Sequence, residues 1–139
     1  MRKIWLLIIG AGGHGRSVAE AAELSGAFEV VGFLDDALQV GENLRSGSVL
    51  GSIDSLNSLD CLKSYRAICD QAIVAVGNNS LREKLVHQLI CAGFDLATVI
   101  HPRAFVSPSA RVCVGSAVMT GAIVGTEACL GVGAIVNCG

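Results

Sequence analysis

The sequence predicts an α/β fold: a small parallel-sheet domain that runs into the start of a parallel β-helix. Three observations carry this. Apolar runs alternate with helical patterns up to about residue 100. A glycine-rich loop joins the first apolar run to the first helical pattern. Beyond Pro102, aliphatic residues recur at every sixth position. Strands alternating with helices argue for a parallel sheet with crossover helices. A period of six matches neither a helix nor an ordinary alternating strand, and it is the mark of a hexapeptide β-helix.

Ile4–Ile9 is apolar throughout and reads as a strand buried on both faces. Preceded by Met1-Arg2-Lys3, it has a passing likeness to a signal peptide, but it runs into glycines rather than a small-residue cleavage site. The apolar run is too short for one, and far too short to span a bilayer. Ser17–Leu24 places apolar residues at helical spacing and is rich in helix formers. Phe28–Leu34 is a second strand. Ile53–Tyr65 reads as one helix with Asp54 or Ser55 as its cap. Ala72–Val76 is another buried strand. Ser80–Ala92 is an amphipathic helix, with Gly93 where a C-terminal cap belongs. Leu96–Ile100 is the last short strand of this half, giving domains over 1–100 and 101–139.

In the second half the repeating aliphatic residues are Val106, Val112, Val118, Val124, Leu130 and Val136. A small residue follows each of the first five at a fixed offset: Ala110, Ser116, Ala122, Ala128 and Ala134. The aliphatic side chain points inward and stacks on its counterpart in the next coil, and the small one lets the chain turn a corner. Gly115, Gly121, Gly133 and Gly139 supply permissive backbone near the turns.

Composition narrows the function. The chain is 52% hydrophobic and carries a net charge of −2, so it can bury a core and gives no electrostatic reason to expect nucleic acid or an anionic membrane as partner. Its six cysteines, Cys61, Cys69, Cys91, Cys113, Cys129 and Cys138, include no C-x-x-C pair and read as reduced thiols of a cytoplasmic protein rather than as metal ligands or a disulfide framework.

Gly10-Ala11-Gly12-Gly13-His14-Gly15 satisfies G-x-G-x-x-G between a strand and a helix. Backbone N–H groups at the helix start can face a phosphate, assisted by the helix dipole. Asp35 ends the second strand, where an acidic residue commonly meets a ribose hydroxyl, and Asp36 doubles the acceptor. The alternative is a tight strand–helix turn with no ligand. His14 either contacts a phosphate or sugar or orders the loop. Gly77-Asn78-Asn79 follows a strand directly, at the edge where ligands of open α/β sheets bind, with Arg82 one helical turn on. The two amides can read a base or sugar, and Arg82 can meet a phosphate or carboxylate bidentately; alternatively Asn79 caps the helix and Arg82 is solvated. His87 falls on an exposed helix face, and His101, before Pro102, reads as a structural residue of the junction rather than a catalytic one.

Together these segments resemble a family of bacterial sugar acetyltransferases that join a small Rossmann-like domain to a left-handed β-helix: the sialic-acid O-acetyltransferase and UDP-amino-sugar N-acetyltransferase type. The resemblance rests on Gly10–Arg16, Phe33–Asp36, Ala75–Arg82, Val99–Ala110 and Gly133–Asn137. It implies that Gly10, Gly12, Gly13, His14, Gly15 and Arg16 line the nucleotide of a UDP-linked amino sugar, with Asp35 and Asp36 towards the uridine and Gly77, Asn78, Asn79 and Arg82 completing the site. It implies three hexads per coil, a homotrimer formed through the β-helix, and acetyl-CoA as co-substrate of the complete enzyme. Such enzymes use a histidine on the β-helix as general base. Here no histidine follows His101, so the chain alone is expected to lack catalysis and to bind no acetyl-CoA. The repeat reaches Gly139 without a polar cap, so a fragment of a longer protein is expected. Two other functions stand beside this one: a nucleotide-sugar-sensing module without catalysis, and an NAD-dependent oxidoreductase suggested by the glycine loop and Asp35.

Overall fold

The computed structural model describes residues 2–137; Met1, Cys138 and Gly139 lie outside the described residues. Strands β1 (Ile4–Ile9), β2 (Phe28–Leu34), β3 (Val49–Gly51) and β4 (Gln71–Val74) form one sheet in the order β3-β2-β1-β4. Every pairing within it is parallel. The central strand explains its own unbroken apolar run. Leu6 and Ile8 point into one core with Val18, Ala22 and Phe33, while Leu7 and Ile9 point into another with Leu56, Leu85 and Leu89. Side chains alternate across a strand, and both faces of this one are covered.

Helix α1 (Gly13–Leu24) covers the first face, with Ala19, Ala21 and Ala22 fully buried. It begins earlier than the Ser17 that helix propensity suggests. Its N-cap is Gly12, inside the glycine-rich loop. Packing of Gly15 and Val18 against the sheet overrides the poor propensity of glycine. The single helix expected over Ile53–Tyr65 is two elements: a 3₁₀ turn at Ile53–Asn57 and helix α2 at Leu59–Ile68. The caps are Ser52 and Ser58, whose hydroxyls accept from the N–H groups of Ser55 and Cys61; Asp54 lies within the first turn, and the Ser55 hydroxyl donates to the Ser52 carbonyl. Ser58 has extended backbone (φ −98°, ψ 124°), which ends one element and starts the next. Helix α3 (Asn79–Cys91) is capped by Asn78, and Gly93 beyond it takes φ +86°.

The last strand of the first half divides. Leu96 makes an isolated bridge to Ala72, whereas β5 (Val99–Ile100) pairs with β8 (Ala117–Val118) instead of the sheet. From there the chain winds. Strands β6 (Phe105–Val106), β7 (Arg111–Val112), β9 (Ile123–Val124), β10 (Cys129–Leu130) and β11 (Ile135–Val136) complete three short parallel sheets, β5-β8-β11, β6-β9 and β7-β10. Each strand pairs with the one three hexads on, as Val106 does with Val124 and Val112 with Leu130. The sixfold period therefore marks the inward residue of each rung: Ile100, Val118 and Val136 align on one face, and Val106, Val124 and Leu130 share their interior. The small residues close the corners. Ala104, Ala110, Ala122, Ala128 and Ala134 donate their N–H to the carbonyl three residues back at 2.9–3.2 Å. Gly115, Gly121 and Gly133 take φ between +71° and +82° at these corners, and Glu127 stands in the same place at +59°. Ala117 and Met119 of the coil join the core beneath α1, so the two halves share one interior.

Candidate functional site

The three segments predicted to bind a ligand all lie at the carboxyl ends of β1, β2 and β4, the edge of an open α/β sheet where ligands sit. The loop after β1 is held by its own backbone. The Gly10 N–H donates to the Leu34 carbonyl at 2.7 Å. Gly10 has φ +114°, and a Cβ there would stand 2.7 Å from the Ala75 carbonyl oxygen. A side chain on Gly15 would run into the Gly10 carbonyl. These two glycines are demanded by packing. Gly12 and Gly13 are not: both are exposed, neither has a positive φ, and a Cβ on either would meet nothing within 4 Å. The first turn of α1 has no side-chain cap, which leaves its N–H groups at the positive end of the helix dipole without a capping side chain.

Asp35 secures this loop. Its Oδ1 accepts from Ala11 N–H at 3.0 Å, and its Oδ2 from Ala37 and Leu38 N–H, each at 3.0 Å. The exposed Asp36 accepts from Ile53 N–H at 2.8 Å through Oδ1, tying β2 to the 3₁₀ turn. After β4, Gly77 faces open space. Capping of α3 falls to Asn78, which accepts from Leu81 N–H at 2.8 Å, one residue before the Asn79 that sequence suggests as the cap. Asn79 instead accepts from Arg82 Nη2 at 2.8 Å.

One cavity, of about 230 Å3, gathers His14, Gly77, Asn79 and Arg82 from the first half with Ile135 and Asn137 from the coil. His14 is half-buried, and its Nε2 is buried without a hydrogen-bond partner among the described residues. Burial first, and the Arg82 cation second, hold the imidazole pKa below its usual 6.5, so His14 is a neutral group able to accept or donate one hydrogen bond. Ile135 and Asn137 are the site residues that reading the first half alone passes over; the signal was the repeat register, which carries β11 alongside β8.

Other predicted residues stand apart. Arg16 folds over the loop, Nε to the Gly12 carbonyl at 3.4 Å, and lines a second cavity of about 330 Å3 with Gly13, Glu20, Leu44 and Arg45. A larger cleft of about 780 Å3 shares Asn79 and Arg82 and runs between α3 and Gly131–Ala134. His87 lies exposed on α3 with Nε2 3.5 Å from Cys91 Sγ. His101 accepts from the Arg103 N–H through Nδ1 at 3.0 Å, a turn contact of the first coil. Among the described residues no three His, Cys, Asp or Glu side chains converge on a point where a metal ion would fit.

Residues 5–89 match the family model of the PglD N-terminal domain. A curated relative, the UDP-N-acetylbacillosamine N-acetyltransferase of Bacillus subtilis, is 34% identical over 110 residues, 78% of this chain and 48% of the relative. Among solved structures, the acetyltransferase domain of PglB from Neisseria gonorrhoeae in complex with acetyl coenzyme A is 41% identical with a TM-score of 0.81, covering 98% of this chain and 62% of that one. PerB from Caulobacter crescentus in complex with CoA and GDP-perosamine is 33% identical with a TM-score of 0.82, covering 96% of this chain and 60% of that one. The chain thus spans about half the length of the curated relative and about three-fifths of the solved ones.

Proposed function

The chain belongs to the PglD N-terminal domain family, and on that premise we propose that it is the nucleotide-sugar-binding part of an acetyl-CoA-dependent sugar N-acetyltransferase. The observation that carries the reading is the cavity where His14, its buried Nε2 without a partner among the described residues, meets Asn137 of the coil. The bare N–H groups at Gly12 and Gly13 take the diphosphate of a UDP-linked amino sugar. His14 hydrogen-bonds a phosphate or sugar oxygen. Asp35 keeps the loop in place, with Gly10 and Gly15 giving it its close packing, while Asp36 and Arg16 flank the uridine side. Gly77 and Asn79 border the sugar, and Asn78 fixes the helix that carries them. Relatives named for UDP-N-acetylbacillosamine and solved with GDP-perosamine support a nucleotide amino sugar as the ligand class.

In the reaction of the whole enzyme the sugar amine attacks the thioester carbonyl of acetyl-CoA, gives up a proton to a base and expels the CoA thiolate. No histidine follows His101 in the sequence. On this reading the base, and most of the acetyl-CoA contacts, come from outside these 139 residues. A homotrimer is the proposed assembly, the coil being a left-handed β-helix. The β6–β9 face supports it: Phe105 and Ile123 lie paired there, 58% and 74% exposed. No helix among the described residues is long and apolar enough to cross a membrane. A cytoplasmic location is proposed on the free thiols of Cys61, Cys69, Cys91, Cys113 and Cys129. The oxidoreductase alternative needs Asp35 at a ribose, whereas both its oxygens already accept from loop N–H groups.

Titration calorimetry on the 139-residue chain tests the reading. A UDP-linked amino sugar is expected to bind more tightly than UDP alone, with NAD showing no heat. His14→Ala is expected to weaken the sugar nucleotide. Binding of NAD without binding of the UDP-sugar overturns the proposal, and preference for the GDP-sugar would reassign the base.

A further inference from the structure

Arg82 is where the two halves of the molecule meet in one side chain. It sits in the first turn of α3, half-buried. Its Nε donates to the Gly133 carbonyl at 3.0 Å, on the third turn of the second coil. Its Nη1 donates to the Val76 carbonyl at 3.2 Å and lies 3.4 Å from that of Gly77, and its Nη2 donates to Asn79 Oδ1 at 2.8 Å. Three nitrogens of one planar group thus reach the end of β4, the start of α3 and the coil. Gly133 is itself seated against α3, since a Cβ there would stand 3.0 Å from Val86 Cγ2. Two residues beyond Gly133 the chain enters β11 and supplies Ile135 and Asn137 to the His14 cavity. The opposite wall, Gly77 and Asn79, consists of residues Arg82 also holds.

We propose that Arg82 is a positioning residue: its guanidinium clamps the loop after β4 to the coil turn at Gly133, and so sets the separation of His14 and Asn137 across the cavity. The inference rests on the proposed function for the meaning of that cavity, but not for the clamp. A solvated surface arginine would not engage four protein acceptors. A residue kept for a phosphate would leave its fork free, whereas this fork is engaged on both edges. Lysine offers a point charge on one nitrogen and cannot bridge the same three elements. The cation has a second effect. Arg82 is the charged member of the cavity, for Gly77, Asn79, Ile135 and Asn137 are uncharged, and it helps keep the His14 imidazole neutral.

Nuclear magnetic resonance on the ligand-free chain separates the two effects, using Arg82→Lys, Arg82→Met and, as a control, Lys84→Met on the exposed face of α3. Both Arg82 variants are expected to move the amide signals of Gly77 and of residues 133–137. The His14 titration is expected to shift upward in Arg82→Met and to stay low in Arg82→Lys, which keeps the charge and loses the fork. The control is expected to change neither. Unmoved signals at 133–137 in both variants overturn the proposal. In the unsubstituted chain the Arg82 Nε–H is expected to be protected from solvent exchange, and free exchange there overturns it as well, even where a variant fails to fold. No ligand enters the test, so a failure of the nucleotide-sugar reading leaves it intact and separately decidable.

Discussion

Gly10 and Gly13 are both glycine, for opposite reasons. At Gly10 the backbone (φ +114°) and the nearby Ala75 carbonyl both exclude a side chain. Gly10→Ala is therefore expected to cost roughly 2–4 kcal/mol, from a strained dihedral plus an overpacked contact, read by urea denaturation. At Gly13 the first turn of α1 is open, and Gly13→Ala is expected to gain about 0.5–1 kcal/mol of stability while weakening the UDP-sugar. A variant that is both more stable and still fully binding would show that the ligand does not approach Gly13 closely enough to meet a side chain. Glu127 reverses the argument, standing at φ +59° in a corner where Gly115, Gly121 and Gly133 have the same backbone. Glu127→Gly is expected to stabilise by roughly 0.5–1 kcal/mol, the left-handed cost for an L-residue less the entropy of glycine. The loop glycines were legible in sequence because their spacing is local. The role of Arg82 was not, because its acceptor Gly133 lies 51 residues away and only the folded coil delivers it.

At the scale of elements, the repeat was the most legible feature of the chain. Each hexad places its aliphatic residue inward whatever its neighbours are, so the register can be counted from sequence alone. Val118 is fully buried, paired with Ile100 on one side and Val136 on the other. Val118→Ala is expected to cost roughly 2 kcal/mol. Ile123, outward on the β6–β9 face and 74% exposed, is the contrast. Ile123→Asp should leave the fold of the single chain intact, and abolish any trimer seen by sedimentation. A trimer that survives would move the interface to another face. The segment between residues 35 and 70 was the least legible. Two serine caps six residues apart, Ser52 and Ser58, divide what composition alone presents as one helix. The three-residue strand β3 is too short to show a period.

The whole molecule behaves as one unit because its two grammars share an interior. Ala117 and Met119 belong to the coil by sequence but pack with Val18 and Ala22 of α1, so loss of either half exposes the core of the other. This seam could not be read from the repeat, which distinguishes inside from outside but not which outer face meets a sheet. His14 lies close to the seam, and its titration makes stability depend on pH. Its folded pKa is depressed, chiefly by burial and further by Arg82, below the 6.5 expected when unfolded. As pH falls through about 6.5 the unfolded chain takes up a proton that the folded chain refuses, and stability falls with it, the loss ending below the depressed folded value. Asp70 acts in a lower window. Its carboxylate accepts from Trp5 N–H and pairs with Arg2, which lowers its pKa from 3.8, so its contribution is present above that value and is lost as pH falls below it. Urea denaturation between about pH 8 and pH 5 is expected to show the first decline alone. His14→Asn, which keeps a polar side chain and removes the titration, is expected to flatten it. A decline of unchanged slope in that variant would mean that the proton is refused elsewhere, and that the cavity joining the two halves does not hold His14 neutral.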